Sequence, residues 1–333
     1  MKSNTAGFLM LTLFSHSFSG CRSQSSFGEN LLTPVKSISL PGVSGRIDHM
    51  DVNLKSSIVY VAALGNNSLE IVDLAKGKVI HSISGLNEPQ GVAYIPQSQE
   101  IIVANGGSGD CYFYNASTYQ KIGTIKLASD ADDIRYDSVS QLIYVGYGHG
   151  GISVIDARDH RPIADIKLSG HPESFQLDKS LNRIFVNIPD AHTIAVIDLA
   201  HSRLITQWNT GSLRANFPMA IDPINHFVFI GYRHPAKLAV MDGKTGKQLN
   251  TSDMAGDVDD LYFDGKKEMM YASGGSGFIS VYQFQKGNLK QVANIATKAG
   301  ARTSLLIPQL NFFILAERAN GSSAAQLQVY ETK

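Results

Sequence analysis

One pattern of residues recurs seven times along this chain, and that recurrence limits the folds open to it more than any other feature. The first copy runs Ile58-Val59-Tyr60-Val61-Ala62, crosses a Gly65-Asn66 turn and resumes as Leu69-Glu70-Ile71-Val72-Asp73. An apolar run, a tight turn and an alternating run that stops at or near a polar residue return at 101–115, 142–156, 184–198, 227–242, 269–283 and 312–331. Strand-ending positions 73, 115, 156, 198 and 242 stand 41 to 44 residues apart. A period near 40 with several short strands per unit is the mark of a propeller blade. The first copy holds four strand signals, at 50–52, 58–62, 69–72 and 79–83, while the last copy stops at Lys333 after its third. Residues 34–40 carry the pattern of a fourth strand, as at 79–84. The expectation is an all-β, seven-bladed β-propeller of four-stranded antiparallel blades, its ring closed by the N-terminal strand, which removes an exposed sheet edge.

The run from Val59 to Asp73, Val59-Tyr60-Val61-Ala62-Ala63-Leu64-Gly65-Asn66-Asn67-Ser68-Leu69-Glu70-Ile71-Val72-Asp73, resembles the signature of the YVTN-type β-propeller repeat family, which includes the YncE-like exported proteins. Pro89-Gln90-Gly91-Val92-Ala93 and Gly170-His171-Pro172-Glu173-Ser174 are similar to that family's blade-entry turns. The resemblance spans nearly all of the chain beyond the N-terminal segment. It implies a propeller fold and export, and it carries no catalytic motif with it.

The N-terminus reads as a targeting segment, separate from the fold. Lys2 precedes an apolar stretch at 6–14 that is too short to span a bilayer, which takes about 20 apolar residues. Phe18-Ser19-Gly20-Cys21 resembles the lipobox of bacterial lipoproteins, in which the cysteine is lipidated and becomes the new N-terminus; the alternative is an ordinary cleaved signal with an incidental cysteine. This divides the chain into a signal peptide at 1–20, a polar tether at 21–32 and a propeller at 33–333. Arg22 is not the aspartate that retains lipoproteins at an inner membrane, so an outer membrane is favoured where one exists, the protein facing periplasm or cell exterior. The only other cysteine, Cys111, aligns with Leu69, Ile152, Ile194, Leu238, Ile279 and Leu327, which assigns it to a blade core as an inert thiol.

Lys and Arg equal Asp and Glu at 29 each, which argues against nucleic acid as a partner, since phosphate binding needs a concentrated basic surplus. No Gly-x-Ser-x-Gly elbow, His-Glu-x-x-His or Cys-x-x-Cys occurs. Chemistry is instead concentrated in the blade-entry turns, which meet around the channel axis. Asp130-Ala131-Asp132-Asp133 and Asp257-Val258-Asp259-Asp260 form a matched acidic pair. Crowded carboxylates repel one another unless a cation or basic side chain lies between them, and oxygen-rich clusters suit a divalent cation such as Ca²⁺. Asp132, Asp133, Asp259 and Asp260 are therefore candidate ligands; the alternative is that they accept turn amides or pair with arginines of neighbouring blades. Arg46, Arg214, Arg233 and Arg302 make a second, basic group, and His49 and Glu173 complete the candidate mouth. Two functions follow. One is a non-catalytic scaffold at the cell envelope that binds a small molecule or an envelope protein, with membrane contact through the lipid alone. The other is a metal-assisted hydrolase of lactonase type with its site at the channel mouth.

Overall fold

The computed structural model describes Met1 and residues 31–333; the expected signal peptide, Cys21 and most of the expected tether lie outside the described residues. Short alternating runs between Gly-, Asn- and Asp-rich turns dictate strands joined by hairpins. The described strands form seven four-stranded antiparallel sheets. Six sheets keep their strands in chain order, from an inner strand at the channel to an outer strand at the rim. In the seventh, Ser304–Ile307, Phe312–Glu317 and Gln326–Thr332 are completed by Leu32–Ser39. Leu32 stands opposite Thr332 and Ser39 opposite Gln326, so the chain ends are hydrogen-bonded along one edge. The closing strand starts at Leu32, slightly ahead of its apolar pattern in the sequence. Leu32, Ile38 and Leu40 are buried there, and at about 1.5–3 kcal/mol for each large aliphatic side chain this clasp is a substantial part of ring stability.

The apolar core is not inside single blades but between them. Leu69 and Ile71 of the first blade pack with Val92 and Val103 of the second, while Val72 packs with Ile314 and Leu327 of the seventh. Two-residue alternation therefore holds along the third strand, yet both of its faces are covered, since every blade is sandwiched by two neighbours. Glu70 shows the cost of that burial. It is 2% exposed, and its carboxylate is held by the Ser68 and Ser82 hydroxyls at 2.6 and 2.8 Å. Cys111 is wholly buried in the core between the second and third blades; burial, with Asp110 nearby, pushes its thiol up to about 12.

Each outer strand carries a β-bulge at the same place. The ladder skips Ile80 between His81 and Val79, Ile122 between Gly123 and Lys121, and Ile163 between Ala164 and Pro162. It likewise skips Ile205, Leu249, Val292 and, in the closing strand, Val35. A bulge twists an edge strand away from foreign pairing, which is what the rim of a propeller needs.

Strand direction defines two faces. Inner strands start at the entry face, where the entry turns and the loops between second and third strands lie. Turns between first and second strands, and between third and outer strands, lie on the opposite face, and so does the start of the closing strand at Leu32. Among the described residues no helix is long and apolar enough to cross a membrane.

Candidate functional site at the channel mouth

Each blade contributes one residue at an equivalent position of its entry turn to a ring around the axis. Asp48, Gln90, Asp132, Glu173, Phe217, Asp259 and Arg302 all line a cavity of about 310 Å³ at the entry face. The local cause is a bulge at the head of the inner strand. In the third blade Ala131 pairs with Tyr147 and the ladder resumes only at Ile134 opposite Val145, which frees Asp132 and Asp133 from the sheet. In the sixth, Val258 pairs with Gly274 and Asp260 with Ser273, so Asp259 is released. Gln90 and Phe217 are released in the same way. Bulges re-aim side chains and interrupt strand alternation, so consecutive residues can reach the channel. Close approach of neighbouring blades also needs Gly91, where a Cβ would lie 2.0 Å from the Asp132 carbonyl oxygen.

The mouth has two electrostatic sides. On one, Arg233 and Arg302 enclose Asp259: the Arg233 guanidinium reaches Asp259 Oδ1 at 2.5 Å, and Arg302 Nε reaches Oδ2 at 2.9 Å. Arg302 also donates to Asp257 at 2.9 Å, and Arg233 lies over the Phe217 ring with its guanidinium carbon 3.7 Å from the centroid. Arg46 donates to Asp48 at 2.8 Å. On the other side two histidines bracket one carboxylate: His49 Nε2 is 3.8 Å from Asp132 Oδ1, and His171 Nε2 is 3.6 Å from Asp132 Oδ2. His171 Nδ1 is 2.6 Å from the Gly148 carbonyl oxygen, which fixes the ring orientation.

Burial and crowding set the charge states. Burial works against a charged His49, but Asp48, Asp133, Asp260 and Asp132 surround it and raise its pKa to about 10. Burial likewise opposes protonation of His171, but its contacts with the Asp132 carboxylate and the Gly148 carbonyl raise it to about 9. Burial alone would raise Asp132, yet His171 and His49 hold it below the usual carboxylate range. Asp48 and Asp260 are pushed up to about 6 and about 7, in both cases chiefly by burial. Glu173 is raised to about 8, by burial first and then by the charges of Asp132 and Asp259. Among the described residues, it is the ring carboxylate whose side chain makes no hydrogen bond or ion pair.

Asp133 and Asp260 stand one step below the ring and reach across to the next blade. Asp133 pairs with Arg135 and accepts from Phe175 N at 3.4 Å. Asp260 accepts from Ser304 N at 2.6 Å. The four aspartates considered as cation ligands thus engage arginines, histidines or backbone amides. Among the described residues, no three His, Cys, Asp or Glu side chains gather as a metal-binding group.

Arg46, His49, Asp132, Asp133, Glu173, Arg233, Asp259 and Arg302 are brought together at the mouth as expected. Arg214 is not: it sits at the start of the fifth inner strand and turns back to the Leu213 carbonyl at 3.0 Å, and Phe217 takes the ring position instead. Asp260 lines the channel just below. Asp48, Gln90, His171 and Phe217 were not among the expected site residues; the signal that finds three of them is the position equivalent to Asp132 and Asp259 in each blade. His49, Asp133 and Ser174 also roof a second cavity of about 950 Å³ that opens on the opposite face beside Leu54 and Pro96. Charge continues into it, through Asp51, Asp133, Arg135 and Asp260. Asp51 accepts from Tyr94 N at 2.6 Å and from Val52 N at 2.8 Å, and burial pushes it up to about 6.

The class that this fold and site define is a seven-bladed propeller with a charged axial cup. No protein-family model matches the chain, and no curated protein matches its sequence. Solved structures match it by shape. A chain of a mitotic checkpoint complex is similar over 98% of this chain and 99% of its own, with a TM-score of 0.77 and 15% identity. A chain of the hydrazine synthase of Kuenenia stuttgartiensis is similar over 90% of this chain and 97% of its own, with a TM-score of 0.75 and 16% identity. At such identities the likeness is one of fold, and the fold is compatible with a binding scaffold.

Proposed function

We propose that this protein is an exported, lipid-anchored binding propeller whose mouth takes a small polar molecule bearing an ammonium or guanidinium group. The observation that carries the reading is Glu173: an unpaired carboxyl in a cup whose other ring carboxylates already hold partners. A cationic group there would displace the proton that burial keeps on Glu173 and form a charge-assisted hydrogen bond in a sheltered site. Phe217, covered by Arg233, and Gln90 give the cup an apolar and a neutral wall that discriminate by shape. The export and anchor follow from residues 1–21 and the YVTN-type resemblance.

Calorimetric titration with a panel of amino acids, polyamines and guanidino compounds, with Ca²⁺ included, tests the mouth. At least one organic cation should bind, more tightly at pH 8.5 than at pH 6, and Glu173→Gln should weaken binding at pH 8.5 and flatten that pH dependence. Binding of Ca²⁺ alone would favour the metal-assisted hydrolase instead. Fractionation tests the anchor: the native protein should stay with membranes through a wash of about 1 M salt, which screens surface charge beyond roughly 3 Å, whereas Cys21→Ser should be released by it.

A further inference from the structure

The face opposite the mouth is built differently from the mouth. At its turn tips stand exposed aliphatic side chains: Leu54 at 41%, Val139 at 82% and Ile224 at 83% exposure. The bulge residues of the outer strands add Ile80, Ile122, Ile163, Ile205 and Leu249, all exposed and all near the strand end that meets this face. By contrast, Phe278 is the large apolar side chain exposed at the entry face among the described residues. Beside six of the seven bulges, at the start of the outer strand or in its turn, is an exposed basic residue: Lys78, Lys121, Arg161, Arg203, Lys247 and Lys290.

The acids of this face are largely taken up locally: Asp73, Asp156, Asp137 and Asp198 pair with Lys76, Arg158, Lys179 and Arg203, Asp159 with Arg161, and others cap turns. Asp222 accepts the amides of Ile224 and Asn225, Asp242 those of Lys244 and Thr245, and Asp137 that of Val139. These carboxylates are buried or half-buried as turn acceptors, while the side chains they present, Ile224, Lys244 and Val139 among them, project outward. Among the described residues the exposed carboxylates in the turns and strand ends of this face are Asp159 and Glu331. The same aspartates that shape the turns thus leave a surface of cations and aliphatic tips.

We propose that this face docks on an anionic lipid surface, with lysines at the headgroups and the turn-tip aliphatics entering the interface. Three observations select lipid over protein. The basic side chains are distributed around the whole disc instead of forming one patch, as a planar partner requires. They are mostly lysine, which is depleted at protein–protein interfaces but suits headgroups, where its stem can lie along apolar surface. The closing strand starts at this face, at Leu32, so a chain anchored through the residues before it presents this side to the bilayer. The inference deepens the anchored reading above and takes from it only that direction. The mouth would then face away from the membrane.

The test uses the full chain carrying Cys21→Ser, so that no lipid contributes, and sedimentation with vesicles of phosphatidylglycerol and phosphatidylcholine or of phosphatidylcholine alone. The expected result is binding to the anionic vesicles only, lost at about 0.5 M salt as screening shortens. Changing Lys78, Lys247 and Lys290 together to Glu should weaken binding by about a hundredfold or more, from roughly a fivefold effect for each cation removed plus the repulsion added. Val139→Asp with Ile224→Asp should weaken it as well. The apolar stretch at 6–14 is common to all these chains, so the differences report the face. Equal binding to both vesicle types, or binding that the lysine and aliphatic variants leave unchanged, would overturn the proposal, as would no binding to either. Failure of the lipid anchor reads out separately, as salt release of the native protein.

Discussion

Glu173→Gln should stabilise the protein in alkaline solution and leave it unchanged in acid. Glu173 is raised from 4.5 to about 8, first by burial and then by Asp132 and Asp259. Below about pH 4.5 both folded and unfolded chains hold the proton, so the native protein and the variant should melt together. Between pH 4.5 and 8 the unfolded chain releases the proton while the folded one keeps it, and native stability falls as pH rises, by about 1.4 kcal/mol per pH unit at most. Above pH 8 the loss levels off. The rise from 4.5 to about 8 sets an upper bound of roughly 5 kcal/mol, and solvent in the open mouth screens part of it, so about 3 kcal/mol is expected. In a chain of this size that is on the order of 6 °C in melting temperature. Thermal melts of both proteins from pH 4 to pH 9 measure it. The neighbouring groups Asp48, His49, Asp132, His171 and Asp260 are common to both chains, so the difference curve isolates Glu173. A difference that is flat with pH, or a variant that loses stability as pH rises, would refute a buried, unpaired carboxyl at this position.

Removal of residues 21–40 should lower the melting temperature of the whole ring in one cooperative transition, because the clasp of Leu32, Ile38 and Leu40 and a full edge of hydrogen bonds go with it; calorimetry would show an unchanged melt if the closure were dispensable. Asp133→Asn should cost about 2–3 kcal/mol by urea titration, since it leaves Arg135 without its carboxylate and weakens the tie to Phe175 N. Cys111 should resist a thiol reagent in the native protein and react at once in denaturant, because it is wholly buried and its thiol is pushed up to about 12.

The repeat was legible because each blade rewrites the same turns, so seven weak signals reinforce one another and even the missing fourth strand of the last copy could be found near the N-terminus. The mouth was legible where charge recurs at one place of the entry turn, as at Asp132, Glu173, Asp259 and Arg302. Arg214 misled because a bulge further along its strand moves Phe217 into the ring, and bulges leave little trace in a pattern read two residues at a time. Asp51 and Arg135 were passed over for a related reason. Their strands look apolar on average, while the channel wall selects only those residues whose side chains face the axis. The double role of Asp133 and Asp260, lining the channel and tying successive blades, follows from the closeness of neighbouring inner strands, which spacing along the chain does not disclose.

The clasp also orders events in time. The closing strand pairs with Gln326–Thr332 across almost the whole described sequence, with Ser37 and Gln328 separated by 291 residues. Among the described residues no other strand pairing asks for a longer loop to be closed, and loop closure must be met before such contacts stabilise anything. Blades one to six can each form from adjacent sequence, but the ring cannot shut until Leu32–Ser39 reaches the seventh sheet. The last act of folding is then the meeting of Leu32–Ser39 with Gln326–Thr332.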